Sequence, residues 1–276
     1  MFGRVRRGWG LTKKAWAVIR SHPGLAKLPL TGGALALVAF AVLGVPGALL
    51  AGSDSTGAVI GGIVMLAIAA YLASFTVIYF NVALAAAADQ AMRGEEPDLP
   101  GARGVARGRA GKIAGWALVS AGVPTLLGAL RGRGGVAGHL GAAIGAEIWS
   151  LVTFLVVPVL AFEGIGPFAA MKRSAALFRR HWGPQVTGDL VIGGLSGLIV
   201  LAGIVISAVG VALLAGGEVL AGGLLIAAGV TAWVSGAVFG GATRGVFGVA
   251  LYRYVAEDRT LGPFTTADLD AAARTR

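Results

Sequence analysis

The chain has 276 residues, 56 % of them hydrophobic and 13 % charged, with 46 glycines and a formal net charge of +10. The charged share is about half that of a soluble domain, so there is too little polar surface to cover the apolar bulk in water, and intrinsic disorder is excluded for the same reason. Cysteine is absent, which excludes a disulfide framework, a thiol nucleophile and a cysteine metal site. The fold class expected is all-α: a polytopic membrane bundle of six transmembrane helices with two basic amphipathic interfacial helices. The basic residues flank apolar runs, which favours anionic lipid over nucleic acid as their partner.

Residues 1–27 form a basic amphipathic segment. Phe2, Val5, Trp9, Thr12, Trp16 and Ile19 recur at spacings of three and four, one stripe of a helix, with Arg4, Arg7 and Lys14 on the far side. His22-Pro23-Gly24 ends the segment. The first apolar run, 30–50, follows. This run and its basic leader are longer than those of a cleaved signal peptide, so a retained anchor is expected. A short polar loop, 51–56, joins it in a hairpin to the second run, 57–84. Five cations lie in 89–112, then the third run, 113–130, ends on Arg131 and Arg133.

The fourth run, 142–162, holds Glu147, the one acidic residue well inside a run. An intramembrane carboxyl is a site hypothesis by default, here a proton or cation site with Arg131 or Arg133 as ion-pair partner. The alternative is a carboxyl hydrogen-bonded to a neighbouring helix or reaching toward the outer headgroups. After it comes the second amphipathic stripe, Phe168, Met171, Ala175, Phe178 and Trp182, flanked by Lys172, Arg173, Arg179 and Arg180. Pro167 suits its first turn and Gly183-Pro184 stops it. The seven basic residues named on the stripes' flanks (Arg4, Arg7, Lys14, Lys172, Arg173, Arg179 and Arg180) are candidate contacts for phospholipid headgroups. The bland alternative is that both helices are anchors that join spans.

The fifth and sixth runs, 190–214 and 219–240, form a hairpin through 215–218. Continued to residue 255, the last helix exceeds the bilayer, so it projects beyond it or bends near Gly240-Gly241. A tail, 257–276, completes the division into 1–27, a transmembrane domain 28–256 and the tail. No loop is long enough for a folded core of its own. Glycines at four-residue spacing (Gly57/Gly61, Gly141/Gly145, Gly193/Gly197, Gly236/Gly240 and Gly241/Gly245) point to close helix packing. Pro46, Pro124 and Pro158 interrupt spans.

Twenty-one Lys and Arg fall in 1–27, in 89–112, in 163–189 and after the sixth run, against two in the alternate loops. That asymmetry places both termini in the cytoplasm of a multi-pass protein of the cell membrane.

Motifs for chemistry are sparse. The three histidines lie in three segments without metal-ligand spacing. Residues 164–169 match G-x-G-x-x-A formally but follow an apolar run rather than a strand, so they read as a chain turn. Glu95, Glu96, Asp98 and Glu163 lack a matching base or metal cluster. No catalytic, cofactor or metal site is assigned.

The stretch Trp149, Thr153-Phe154, Val157-Pro158, Leu160, Glu163-Gly164, Gly166-Pro167, Lys172-Arg173-Ser174 and Trp182-Gly183, with Ala250-Leu251-Tyr252-Arg253-Tyr254, carries a resemblance. It resembles a domain-of-unknown-function family of prokaryotic six-span integral membrane proteins, which implies the architecture but no activity or ligand. A span ending in Pro before a basic, Ser-containing helix is more distantly similar to the membrane domain of some glycerophosphodiester phosphodiesterases. No hydrolase domain accompanies it here. The expected function is a non-enzymatic protein that organises anionic phospholipid, a second copy or a membrane protein partner. The alternatives are a small-solute or ion transporter using Glu147, and then a lipid-modifying enzyme.

Overall fold

The computed structural model describes the backbone of residues 2–133, 135–182 and 189–273, and the side chains of 9–128, 138–146, 148–150, 152–179 and 197–270. Among these residues there is no strand. In chain order the helices are α1 (Phe2–Ser21), α2 (Gly24–Ala39), α3 (Val45–Ala51), α4 (Thr56–Met92), α5 (Leu99–Gly108), α6 (Ala110–Arg133), α7 (Gly135–Thr153), α8 (Val156–Phe162), α9 (Pro167–Trp182), α10 (Asp189–Ala215), α11 (Val219–Glu257) and α12 (Thr266–Ala273). A π-helical turn, Phe40–Gly44, joins α2 to α3.

Five described helical stretches are long and apolar enough to cross a membrane: Gly24–Ala51, Thr56–Met92, Ala110–Gly128, Gly197–Ala215 and Val219–Glu257. They match the first, second, third, fifth and sixth apolar runs, and are consistent with a multi-pass membrane protein.

The fourth run is not the single rod expected. It is α7 and α8, separated at Phe154-Leu155. Pro158 explains the break: it has no N–H for the Phe154 carbonyl, and its ring crowds that oxygen. The Leu155 N–H, left without a helical partner, donates to Ser174 Oγ at 3.3 Å. Ser174 is fully buried on α9, so one short side chain satisfies that donor. Pro46 is absorbed differently. It withdraws the donor for Val42, and the π turn widens the backbone there, with the Val45 N–H reaching the Phe40 carbonyl.

The helix α11 runs uninterrupted through Gly240-Gly241 for 39 residues. At 1.5 Å per residue it is about 58 Å long and α4, with 37 residues, about 55 Å, against a hydrocarbon thickness near 30 Å. Both rods change character along their length. Large aliphatic side chains are exposed from Leu30 to Val77 and again from Leu198 to Val230. From Val82 on α4 and Ala242 on α11 the rods become almost wholly buried. There they meet α1, α5, the start of α6, α8, α9 and α12 in one hydrophobic core. No single loop could build a core, as the sequence indicates, but pooled helix ends do.

Both amphipathic helices pack into this core by a face about a quarter turn from the expected stripe. On α1 the buried residues are Leu11, Thr12, Ala15, Val18 and Ile19, while Trp9 and Trp16 stay 43 % and 39 % exposed. On α9 they are Ala170, Ser174 and Leu177, while Phe168 stays exposed. Small residues let each helix approach the bundle closely, and the aromatics border the contact. The Trp16 ring meets Phe239 of α11 at 4.9 Å.

The hairpin of α10 and α11 closes on glycine, but not at the expected four-residue spacing. A Cβ on Gly203 would stand 2.6 Å from the Gly229 carbonyl, and one on Gly229 would stand 2.6 Å from the Gly203 carbonyl. Gly210 and Gly222 are related in the same way, at 2.8 and 2.7 Å. The period along each helix is therefore seven, the repeat of a left-handed supercoil. Of the expected positions, Gly145, Gly236 and Gly245 would each bring a Cβ within 2.9 Å of a neighbouring side chain, whereas Gly61, Gly141, Gly197 and Gly241 have open space where a Cβ would stand.

One buried group is left over. Thr243 Oγ1 has no hydrogen-bond partner among the described residues, and Thr243 is fully buried. An unsatisfied buried hydroxyl costs about 1–3 kcal/mol. Thr243→Val keeps the shape and removes the hydroxyl, so the variant is expected to unfold about 2 °C higher in a thermal scan in detergent.

Candidate functional site

Among the described residues, the largest set of linked ion pairs lies where the pooled core closes, at the basic end of the bundle. It grows from Asp89, three residues before the end of α4, with only 3 % of its surface exposed. Alanines at 85, 87, 88 and 91 surround it on its own helix and leave room for a large partner. That partner is Arg253 of α11. Its Nε donates to Asp89 Oδ1 at 2.8 Å and its Nη2 to Oδ2 at 2.9 Å, a planar two-bond fork. Its Nη1 donates to Glu257, one turn on. The face of the guanidinium lies 4.3 Å from the Phe162 ring centre, a cation–π contact. Arg93 adds a longer contact to Asp89, at 3.3 Å.

A second acid, Glu163, follows directly on α8. Its Oε1 accepts from Arg173 Nε at 2.8 Å and from the Tyr252 hydroxyl at 3.0 Å. The Tyr252 ring stacks on Phe162 with centres 5.3 Å apart. Phe162 is thus bordered by both halves of the network. Glu163 therefore has a base and a hydroxyl partner, which its isolation in the sequence conceals.

Two more cations close the end of α8. Arg109 Nη1 donates to the Leu160 carbonyl at 2.6 Å, and the Lys112 ammonium donates to the Gly164 carbonyl. Cations at a helix C-terminus satisfy its free carbonyls and oppose its dipole. Burial lowers the Arg109 pKa from its ordinary value. Gly164 turns the chain at φ 58°, a conformation glycine adopts without strain. The formal dinucleotide motif at 164–169 is thus the turn from the end of α8, whose Leu160 and Gly164 carbonyls are taken by cations, into the first turn of α9.

A third pairing ties the termini together. Lys14 of α1 pairs with Asp268 of α12, which also accepts from the Thr265 backbone N–H at 2.8 Å and its hydroxyl at 2.6 Å. Burial alone would raise the Asp268 pKa; the hydrogen bonds from Lys14 and Thr265 outweigh it and hold the carboxyl below its ordinary value. A lowered carboxyl pKa contributes stability above the unfolded-state value and loses it as pH falls through the folded one. The clasp is therefore expected to hold at neutral pH and to open on acidification below about pH 4. At neutral pH, Asp268→Asn should be cut by trypsin after Arg259 severalfold faster than the wild type.

Of the candidate headgroup contacts, Lys14 and Arg173 are engaged in these internal pairs. Lys172 and Arg179 are exposed on α9 and make no ion pair among the described residues. The side chains of Arg4, Arg7, Arg131, Arg180 and Glu147 lie outside the described residues, although helices α1, α6, α7 and α9 carry their backbones. Two residues after Glu147, Trp149 stacks on Trp116 with centres 5.7 Å apart. The pair borders a notch with Ser74, Ser120 and Thr153, in which the Ser74 and Ser120 hydroxyls are 3.1 Å apart.

The sequence reading passes over Asp89 and gives Glu163 no partner. The available signal is the resemblance motif itself. Its Glu163, Arg173, Tyr252 and Arg253 lie far apart in the chain and converge around the Phe162 ring.

The family whose model matches the chain is a family of unknown function, DUF6159, over residues 59–262. That is about three quarters of the chain, and the chain belongs to this family. The match includes the Asp89–Arg253 and Glu163–Arg173 pairs and leaves out the Lys14–Asp268 clasp. No curated protein and no solved structure matches.

Proposed function

We propose that this member of DUF6159 is a non-enzymatic, six-span protein of the cell membrane that gathers anionic phospholipid at a basic cytoplasmic end. The observation that carries the reading is how the cations are distributed. The internal acids are taken by Arg253, Arg173 and Lys14. Arg20, Lys27, Arg103, Arg107, Lys172, Arg179, Arg244 and Arg259 remain exposed, without an ion pair among the described residues. Each such cation near an anionic membrane surface gains about 1 kcal/mol. In this reading α7 supplies the sixth crossing, and the pooled core sits just inside the membrane. The exposed Trp9, Trp16 and Phe168 then mark the headgroup level of α1 and α9, where amphipathic aromatic rings settle.

The test uses the absence of native cysteine, which gives single-cysteine labelling no background. An impermeant maleimide applied to intact cells is expected to label Ser53→Cys and Glu218→Cys, and to reach Arg107→Cys and Arg259→Cys only after permeabilisation. The reverse pattern would overturn the orientation and the lipid reading with it. With the orientation confirmed, protein purified from cells should retain phosphatidylglycerol over phosphatidylcholine.

A further inference from the structure

Three helices change from exposed aliphatic to buried core at one level: α2 near Leu28, α4 at Val82 and α11 at Ala242. A cavity of about 230 Å³ lies between them at that level, lined by Leu30, Gly33, Leu37, Asn81, Trp233 and Gly241 among others. Its lining is apolar except for the Asn81 amide and the Trp233 indole N–H. Leu30 and Leu37 are 46 % and 40 % exposed, so the cavity borders the outer aliphatic belt.

One turn further toward the basic end, two of the three walls are followed by a cation. On α2, Lys27 shares a face with Leu30, Ala34 and Leu37, three, seven and ten residues on. On α11, Arg244 continues the face of Ala237 and Gly241, at seven and three residues. Both are exposed, and neither pairs with an acid among the described residues. An apolar slot that leads into two unpaired cations at the boundary of an aliphatic belt matches one class of molecule. That class has a hydrocarbon chain and an anionic head.

We propose that the cleft between α2, α4 and α11 binds one anionic phospholipid, an acyl chain in the slot and its phosphate held by Lys27 and Arg244. The proposal rests on the membrane reading above and gives it a single stoichiometric site. A neutral lipid would fill the slot but leave both cations unpaired. A soluble anion would meet the cations but leave the slot empty.

The test is native mass spectrometry of the full-length protein released from nanodiscs of phosphatidylglycerol and phosphatidylcholine with identical chains. The wild type is expected to retain one phosphatidylglycerol per chain. Lys27→Gln and Arg244→Gln should each weaken retention about fivefold. Gly241→Leu should abolish it, because Gly241 lines the slot, a Cβ there has no atom within 4 Å, and the longer side chain would take up the chain's space. Glu218→Gln, at the opposite end of α11 from Arg244, is the control and should leave retention unchanged. Equal retention of both lipids would overturn the headgroup assignment. Retention of phosphatidylglycerol unaffected by the three cleft variants would overturn the site and leave the general basic-end reading standing. No anionic preference at all would overturn both.

Discussion

Replacing Arg253 by leucine is expected to destabilise the protein by about 3–5 kcal/mol, since breaking a buried pair leaves its partner charged and uncompensated. Asp89 would keep only Arg93, at 3.3 Å, in surroundings that expose 4 % of its side chain. Glu257 and the Phe162 ring would also lose the guanidinium. The loss belongs to the imbalance rather than to the pair's net worth. The double variant Asp89→Leu/Arg253→Leu should therefore recover more than half of it. Thermal unfolding in detergent, followed by intrinsic tryptophan fluorescence, measures both. A double variant no better than the single one would mean that the network holds the fold by geometry that leucine cannot replace.

The second large effect is expected at Gly229. A Cβ there would stand 2.4 Å from Ser207 Oγ and 2.6 Å from both the Gly203 carbonyl oxygen and the Ser207 backbone nitrogen. Two of these atoms are backbone, so relief requires α10 and α11 to separate along the seam. Overpacking of this kind costs about 1–3 kcal/mol for a methyl group, and Gly229→Ala should fall at the upper end because turning Ser207 Oγ aside leaves both backbone clashes in place. Gly223→Ala, on the same helix, meets open space and should be neutral or slightly stabilising, since alanine is the better helix former. The contrast between the two unfolding temperatures isolates the seam from helix propensity. Equal behaviour would show that the helices do not approach as closely as described.

Composition and periodicity made the rods legible. Five of the six apolar runs are helices long enough to cross a membrane, and the excess length of the last one was foreseeable from its run of helical residues. The break at Phe154-Leu155 was not, although Pro158 was visible. A proline in an apolar run permits either a kink or a stop, and the choice here depends on Ser174, 19 residues on, reaching Leu155. The buried faces of α1 and α9 were misjudged because an aromatic stripe carries more apolar surface than Ala15, Ala170 or Ser174. The small residues nevertheless won, since they allow closer packing. The glycine seam follows a period of seven that a search at four cannot find. Asp89 was hidden by position. It sits at the edge of an apolar run, and its partner is 164 residues away. Short-range spacing carries no trace of such a pair. The convergence of Glu163, Arg173, Tyr252 and Arg253 was visible only as a resemblance, with no geometry attached.

The unbroken length of α4 and α11 has a mechanical consequence. A rigid shaft cannot tilt at one end without sweeping the other, and a tilt of about 10° over about 25 Å of projecting helix moves its tip by about 4 Å. That is more than the reach of a hydrogen bond. In the proposed membrane reading, thinning or stretching of the bilayer, which changes helix tilt, would be delivered as a sideways stroke to the fork between Asp89 and Arg253, one on each shaft. The pair joins the two shafts as a coupling pin does, so they swing together or shear it.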